Sequence, residues 1–183
     1  MNRRTTSRLL AVPAAVIAVV LSLAACGDDD AGGDAADATS QGCENRPETA
    51  DAPEGIATDL GEKPEVPGTG AAPPCALQIS DVVVGGGAEA VEGMSVAVKY
   101  VGAFYGTGEE FDSSWSRSPD ETLPVTVGAG QVIPGFEQAI AGMQVGGRRM
   151  VTIPSDLGYG PRGQGPIPGG ATLVFVLDLV EVA

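Results

Sequence analysis

The stretch from Val132 to Met143, Val-Ile-Pro-Gly-Phe-Glu-Gln-Ala-Ile-Ala-Gly-Met, carries the only convincing helical pattern after the first 26 residues, and it limits what the rest can fold into. Pro134 suits a first helical turn, where its missing N–H costs nothing. Gly142 suits the position just past the end. Phe136, Ile140 and Met143 recur at i, i+4 and i+7, one apolar stripe about a hundred degrees wide. Glu137 lies toward the N-terminal end, where the helix dipole favours a carboxylate. Everything on either side reads as strand. A short helix among many strands buries its stripe by lying in the concave face of a curved sheet. The expected class is therefore α+β, a curved antiparallel β-sheet wrapped around one short α-helix. Ile140 and Met143 are read as core. Val132 and Ile133 would sit at the mouth of any hollow between helix and sheet.

The strands follow from period-two alternation. Leu77 and Ile79 open a first strand, which Gly85-Gly86-Gly87 breaks. Met94 to Tyr105 is long, with Val96, Val98 and Tyr100 on one face and Ala97, Lys99 and Val101 on the other. Gly106-Thr107-Gly108 turns the chain into a short strand from Glu110 to Ser114. Leu123, Val125 and Val127 alternate before Gly128-Ala129-Gly130 leads to the helix. Gly146-Gly147 turns into Arg148 to Ile153. Ala171 to Val182 closes the chain, with Leu173, Phe175, Leu177 and Leu179 on one face. Residues 154–170 make a loop dense in glycine and proline, and loops this long in a compact domain are usually functional. The glycines after Val84 open no helix, so a phosphate-cradling loop is not expected.

The chain carries a formal net charge of −14 and no histidine. Nucleic-acid binding needs a basic footprint, so no nucleic-acid partner is expected. Without histidine there is no Ser-His-Asp or Cys-His catalytic pair and no His-ligated zinc. The Asp28-Asp29-Asp30 run matches no calcium loop. No metal or other cofactor is expected.

Residues 1–26 hold three arginines and no acid, then an apolar run from Leu9 to Ala25 that ends in Leu23-Ala24-Ala25-Cys26. This is the layout of a secretory signal, and the last four residues resemble a bacterial lipobox. The resemblance implies a lipoprotein signal peptide over 1–26, a diacylglyceryl group on Cys26, and a lipid anchor on the outer, extracytoplasmic side of the cell membrane. The competing reading is an uncleaved span, for which the run is short and is interrupted by Pro13 and Ser22. Residues 27–75 are rich in Ala, Gly and Pro, carry twelve acidic against two basic residues, and have almost no large apolar side chains. They are read as an extended, self-repelling flexible linker, with the folded domain over 76–183. Once Cys26 takes lipid, Cys43 and Cys75 remain, and in an oxidising compartment a disulfide between them is expected. It would close a loop of about 32 residues and supply about 3–4 kcal/mol against the unfolded state. A free thiol pair or a bridge to another chain are the alternatives.

Val98-Lys99-Tyr100-Val101-Gly102, Phe111-Asp112-Ser113-Ser114, Gly128 through Glu137, Gly142-Met143 followed by Val145-Gly146, Ile153-Pro154, Tyr159-Gly160 and Ala171-Thr172-Leu173-Val174-Phe175 occur in this order. The set resembles the FKBP family of peptidyl-prolyl cis–trans isomerases across the whole of 76–183. The resemblance implies the curved sheet over one short helix, and an isomerase, or rotamase, acting on proline-containing polypeptides; with the leader read as above, these would be secreted or envelope proteins. It implies a pocket in which Tyr100, Asp112, Phe136, Tyr159 and Phe175 are catalytic, while Phe111, Arg117, Leu123, Gln131, Val132, Ile133 and Ile167 bind substrate. In that scheme Tyr100 lines a wall, Arg117 orients Asp112, and Leu123 stands where the family often has Phe. Gln131, Val132 and Ile133 form the rim, with the Ile133 N–H donating to the bound peptide. Phe136 is the floor, where many relatives carry Trp. Tyr159 offers its hydroxyl, and Ile167 and Phe175 complete the lining. Gln131 replaces a common Glu, and the loop around Gln164 is about one residue shorter than in the best-known relatives and lacks their His. Both departures touch the rim, and so substrate preference.

The resemblance further implies binding of macrolides such as FK506 and rapamycin, and a monomer is expected. A proline-peptide binding module or chaperone with incidental turnover would share the same pocket, and rate separates it from an isomerase. A purely structural lipoprotein would show no competition by macrolides.

Overall fold

The computed structural model describes residues 55–183. Six strands are formed: β1 (Gln78–Val83), β2 (Ser95–Phe104), β3 (Glu110–Ser113), β4 (Leu123–Thr126), β5 (Arg148–Ile153) and β6 (Leu173–Val182). The helix α1 (Pro134–Ile140) lies between β4 and β5. All pairings are antiparallel, in the order β1-β5-β6-β2-β3, with β4 also on β2. The long strand β2 is what permits this. One side of it pairs with β6 along its length, and the other is shared, Ser95–Val98 with β4 and Val101–Ala103 with β3. The curved antiparallel sheet over one short helix is thus the fold, as expected.

The concave side holds the main core. Val96, Val98 and Tyr100 of β2, Val151 and Ile153 of β5 and Leu173, Phe175, Leu177 and Leu179 of β6 pack on Phe136, Ala139, Ile140 and Met143. The helical stripe is closed to solvent, with Phe136, Ile140 and Met143 at 3, 0 and 2 % exposure. Pro134 opens α1, and Gly142 follows it at φ 76°. A helix of seven residues leaves most of its carbonyls without an intrahelical partner. Arg149 of β5 supplies donors from outside, with Nη1 donating to Ala139 O at 2.8 Å and Ala141 O at 3.3 Å. Asp81 of β1 holds that guanidinium at 2.7 Å.

The convex side is covered too, by chain read as linker. Met150, Val174 and Val176 form a second buried cluster with Ile56, edged by Val66, Val82 and Tyr105. The expectation of a free linker up to residue 75 therefore does not hold for 55–75. The reason is a buried cation. Arg148 is 0 % exposed and forms a two-pronged pair with Asp178, Nε to Oδ1 at 2.6 Å and Nη2 to Oδ2 at 2.7 Å. Its remaining donors need acceptors, because a buried guanidinium left unpaired is costly. They find the carbonyls of Ala57 at 2.6 Å and Glu62 at 3.0 Å. Lys63 adds an ion pair to Glu110 at 2.7 Å, and Thr69 N–H donates to Tyr105 O at 3.2 Å. Cys75 is disulfide-bonded. Its partner, like Cys26, Cys43 and the expected signal peptide, lies outside the described residues.

Candidate active site

The site grows from three residues that the sheet brings onto its concave face. Gly102 of β2 pairs with Phe175 of β6, and Tyr100 lies one pleat away, opposite Leu177. Phe175 sits at the centre of the aromatic group. Its ring centroid is 5.3 Å from Phe136 and 5.6 Å from Phe111, both edge-on, and 6.3 Å from Tyr100. Tyr100 meets Phe136 edge-on at 5.9 Å. Such edge-to-face contacts are the favoured geometry for aromatic pairs. The rings can converge because position 102 has no side chain. A Cβ there would lie 2.7 Å from Phe175 Cε1 and 2.8 Å from Phe111 Cζ.

Above these rings opens a cavity of about 520 Å³. Tyr100, Phe111, Asp112, Leu123, Gln131, Val132, Ile133, Tyr159 and Phe175 line it. Gly158 and Gln164 do so as well; the sequence puts the loop around Gln164 at the rim but singles out neither residue as lining. Gln164 carries no motif signal, sitting in a loop whose course only the fold reveals. Phe136 lies one layer deeper than expected, supporting the rings rather than facing the cavity. Ile167 is buried and borders an adjoining hollow of about 240 Å³, shared with Phe111, Asp112 and Tyr159. Arg117 stands outside the lining and acts on it through Asp112 and the Tyr100 hydroxyl.

The Phe-Asp-Ser-Ser motif explains how Asp112 is set. Ser113 and Ser114 are buried and fasten β3 to the backbone of Tyr100. Ser114 N–H donates to Tyr100 O at 3.1 Å, and Tyr100 N–H donates to Ser114 Oγ at 3.0 Å. Asp112 then accepts from the Tyr100 hydroxyl at 2.6 Å through Oδ2, and from Ser113 N–H at 2.8 Å through Oδ1. Arg117 Nη1 reaches Oδ1 at 3.3 Å, and Nη2 reaches the Tyr100 hydroxyl at 3.4 Å. Glu121 holds the other edge of that guanidinium, accepting from Nε. Glu121 also escaped the sequence reading, since four-residue spacing has no fixed meaning in a loop. Burial raises the Tyr100 phenol above its ordinary 10.0, and its hydrogen bond to Asp112 adds to this. Burial likewise raises Tyr159, with the Asp112 charge adding. Both phenols are thus neutral hydroxyls at physiological pH.

Tyr159 comes from the long loop, which is ordered rather than loose. Two short 3₁₀ turns (Ser155–Leu157 and Gly160–Arg162) flank it. Gln164 and Ile167 bond each other's backbone in both directions at 2.9 Å. Gly163 has φ 67°, and a Cβ there would lie 2.1 Å from Ile167 O, so the glycine density reflects close backbone packing. The arrangement presents a hollow with aromatic walls, neutral hydroxyl and N–H donors at its edge, and one carboxylate already committed to Tyr100.

A family model described as FKBP-type peptidyl-prolyl cis-trans isomerase matches residues 86–180. The FK506-binding protein of Streptomyces anulatus is 51 % identical over 123 residues, covering 66 % of this chain and 98 % of that protein. The probable FK506-binding protein of Corynebacterium glutamicum is 47 % identical over 120 residues, again 66 % and 98 %. Both likenesses cover more of the chain than 76–183 can supply, so they reach into the segment before Cys75. Among solved structures, AtFKBP13 aligns with 61 % of this chain and 96 % of its own at 36 % identity, with a TM-score of 0.55. FkpA from Escherichia coli aligns with 58 % of this chain and 48 % of its own at 34 % identity, with a TM-score of 0.53.

Proposed function

Because the chain belongs to the FKBP-type peptidyl-prolyl cis–trans isomerases, we propose that the cavity above Phe175 is where it twists X–Pro bonds. An X–Pro bond left alone interconverts in tens to hundreds of seconds, since partial double-bond character must be lost on the way. At the twisted state resonance is broken, the proline nitrogen becomes a lone-pair base, and the carbonyl carries less negative charge. Water stabilises the polar planar form better than the twisted one. A cup walled by Tyr100, Phe111, Val132 and Phe175, and backed by Phe136, removes that preference. Only interactions stronger at the twisted state accelerate the step, and each 1.4 kcal/mol or so gained there is about tenfold in rate. The Ile133 N–H and the Tyr159 hydroxyl hold peptide carbonyls while the proline ring stays seated. Asp112 and Arg117 fix the Tyr100 ring as a wall.

The convergence of Phe111, Phe136 and Tyr100 on the Phe175 ring is the observation that carries this reading. The experiment is catalysed exchange on a Xaa-Pro peptide, compared between wild type and variants of these rings.

The setting is proposed as well. Residues 1–26 act as a lipoprotein signal, Cys26 carries the lipid, and the monomeric domain works outside the cytoplasmic membrane on secreted or envelope polypeptides. The disulfide at Cys75 supports an oxidising compartment, and Cys43 is the partner that remains once Cys26 is lipidated. The relatives' names support macrolide binding; FK506 and rapamycin would occupy the same cavity. Palmitate labelling of the intact protein that Cys26→Ser abolishes tests the anchor.

A further inference from the structure

We propose that Gln131 and Glu137 are positioning residues that pin the rim loop of the cavity at both ends and so place the Ile133 N–H; this rests on the reading of that cavity as the isomerase site. The loop, residues 127–133, joins β4 to α1 and gives Gln131, Val132 and Ile133 to the cavity wall. Val127 is tied by its backbone to Met94 O at 3.0 Å and Gly93 N at 2.9 Å, and the Ile133 carbonyl accepts from Phe136 N–H at 3.0 Å, but between these two ends the backbone does little to fix its own course. Gly128 and Gly130 stand at φ 84° and 67°, and a Cβ on Gly130 would meet nothing within 4 Å. Ala129 N–H donates to Thr126 O at 3.1 Å, the last backbone bond before α1 begins. Among the described residues the N–H groups of Gln131, Val132 and Ile133 find no acceptor.

Two side chains supply what the backbone does not. Gln131 Oε1 accepts from the Thr126 N–H at 2.8 Å, drawing the rim back onto the last residue of β4. Glu137 Oε1, from the first turn of α1, accepts from the Gly130 N–H at 2.9 Å. One pin spans five residues and the other seven, so together they bracket the segment that ends at Ile133. This changes the part assigned to each. Gln131 is read from sequence as a direct substrate contact, yet its carbonyl oxygen is committed to Thr126. Glu137 is read as a helix-dipole residue, yet its carboxylate holds the loop. Both pins need an acceptor oxygen, and neither needs a particular charge. An amide and a carboxylate can therefore replace each other at these two positions.

That exchange is the test. KM and kcat of the full chain on a Xaa-Pro peptide, the melting temperature, and amide exchange at Thr126 and Gly130 are measured for Gln131→Leu, Gln131→Glu, Glu137→Leu and Glu137→Gln. The leucine variants are expected to raise KM about fivefold with a smaller change in kcat, and to speed exchange at the amide each has unpinned. The acceptor-keeping variants are expected to recover most of the lost affinity and the amide protection. Unchanged KM and protection in the leucine variants would overturn the proposal. So would equal losses in the leucine and acceptor-keeping variants. If a leucine variant fails to fold, amide protection in wild type and in the acceptor-keeping variants still decides. An inactive wild-type protein whose Thr126 and Gly130 amides are protected would overturn the reading of the cavity instead, and with it the positioning role.

Discussion

Gly102 on β2 lies opposite Phe175 on β6, and the space a Cβ would take between them is already filled by the Phe175 and Phe111 rings. The cavity thus depends on a residue that contributes no side chain to it. Gly102→Ala is expected to push both rings off their edge-to-face contacts. Overpacking of this kind costs about 1–3 kcal/mol, and the displaced rings should lower kcat/KM by about tenfold, the equivalent of 1.4 kcal/mol. Thermal unfolding and an isomerase assay check the two effects separately.

The polar edge and the aromatic support should differ in weight. Tyr159→Phe and Asp112→Ala each remove hydrogen bonds worth about 1 kcal/mol, so kcat/KM should fall about fivefold in each. Phe136→Ala leaves a cavity beneath Tyr100 and Phe175. Large-to-small changes at such sites cost about 3–5 kcal/mol, and the activity should fall further than in the other two variants. Stability and kcat/KM of all three against wild type measure this ordering.

On the other side of the sheet, Arg148 joins Asp178 to the backbone of residues 57 and 62. Arg148→Ala strands a buried carboxylate and releases the covering segment, a change expected to destabilise the domain by about 3–5 kcal/mol. A chain shortened to begin at residue 76 should also lose stability, because Val174, Val176 and Met150 lose part of their cover and Arg148 loses two acceptors. Denaturant midpoints of the two proteins against the parent give the comparison.

The titration behaviour follows from the two raised phenols. A group held protonated in the folded state adds stability that is complete below its unfolded value, here about 10.0, and that is lost as pH rises through the higher folded value. With no histidine to titrate near neutrality, activity should be flat from about pH 6 to 9. Stability should start to fall above about pH 10, as Tyr100 and Tyr159 are forced to ionise. A pH series of unfolding midpoints checks the sign, and Tyr159→Phe should weaken the alkaline slope.

Much of this was legible in the chain, and the exceptions share a cause. The helix could be read because Pro134, Gly142 and the Phe136–Ile140–Met143 stripe are local signals. The strands could be read because alternation is local too. The concave lining came through because its residues recur in a recognisable order. What the sequence hid is contact between distant segments of ordinary composition. Residues 55–75 hold few apolar side chains, so composition alone made them a linker. Ile56 matters only because Met150, Val174 and Val176 are buried against it, and the Ala57 carbonyl only because Arg148, 91 residues away, is buried facing it. That Glu121 grips Arg117, and that Gln164 is the loop side chain facing the cavity, depend instead on loop courses that local patterns do not report. Periodicity turned Phe136 toward the sheet, but that it backs the rings without lining the cavity is a matter of layering.

The central claim is that an apolar cup around Phe175 makes the twisted amide easier to reach. Exchange NMR on a Xaa-Pro peptide with the intact protein, with and without saturating FK506, tests it most directly. The account predicts cis–trans exchange well above the uncatalysed rate, suppressed by FK506 and sharply reduced in Phe136→Ala. Exchange at the uncatalysed rate, or catalysis that survives saturating FK506 and the loss of the Phe136 ring, would contradict it.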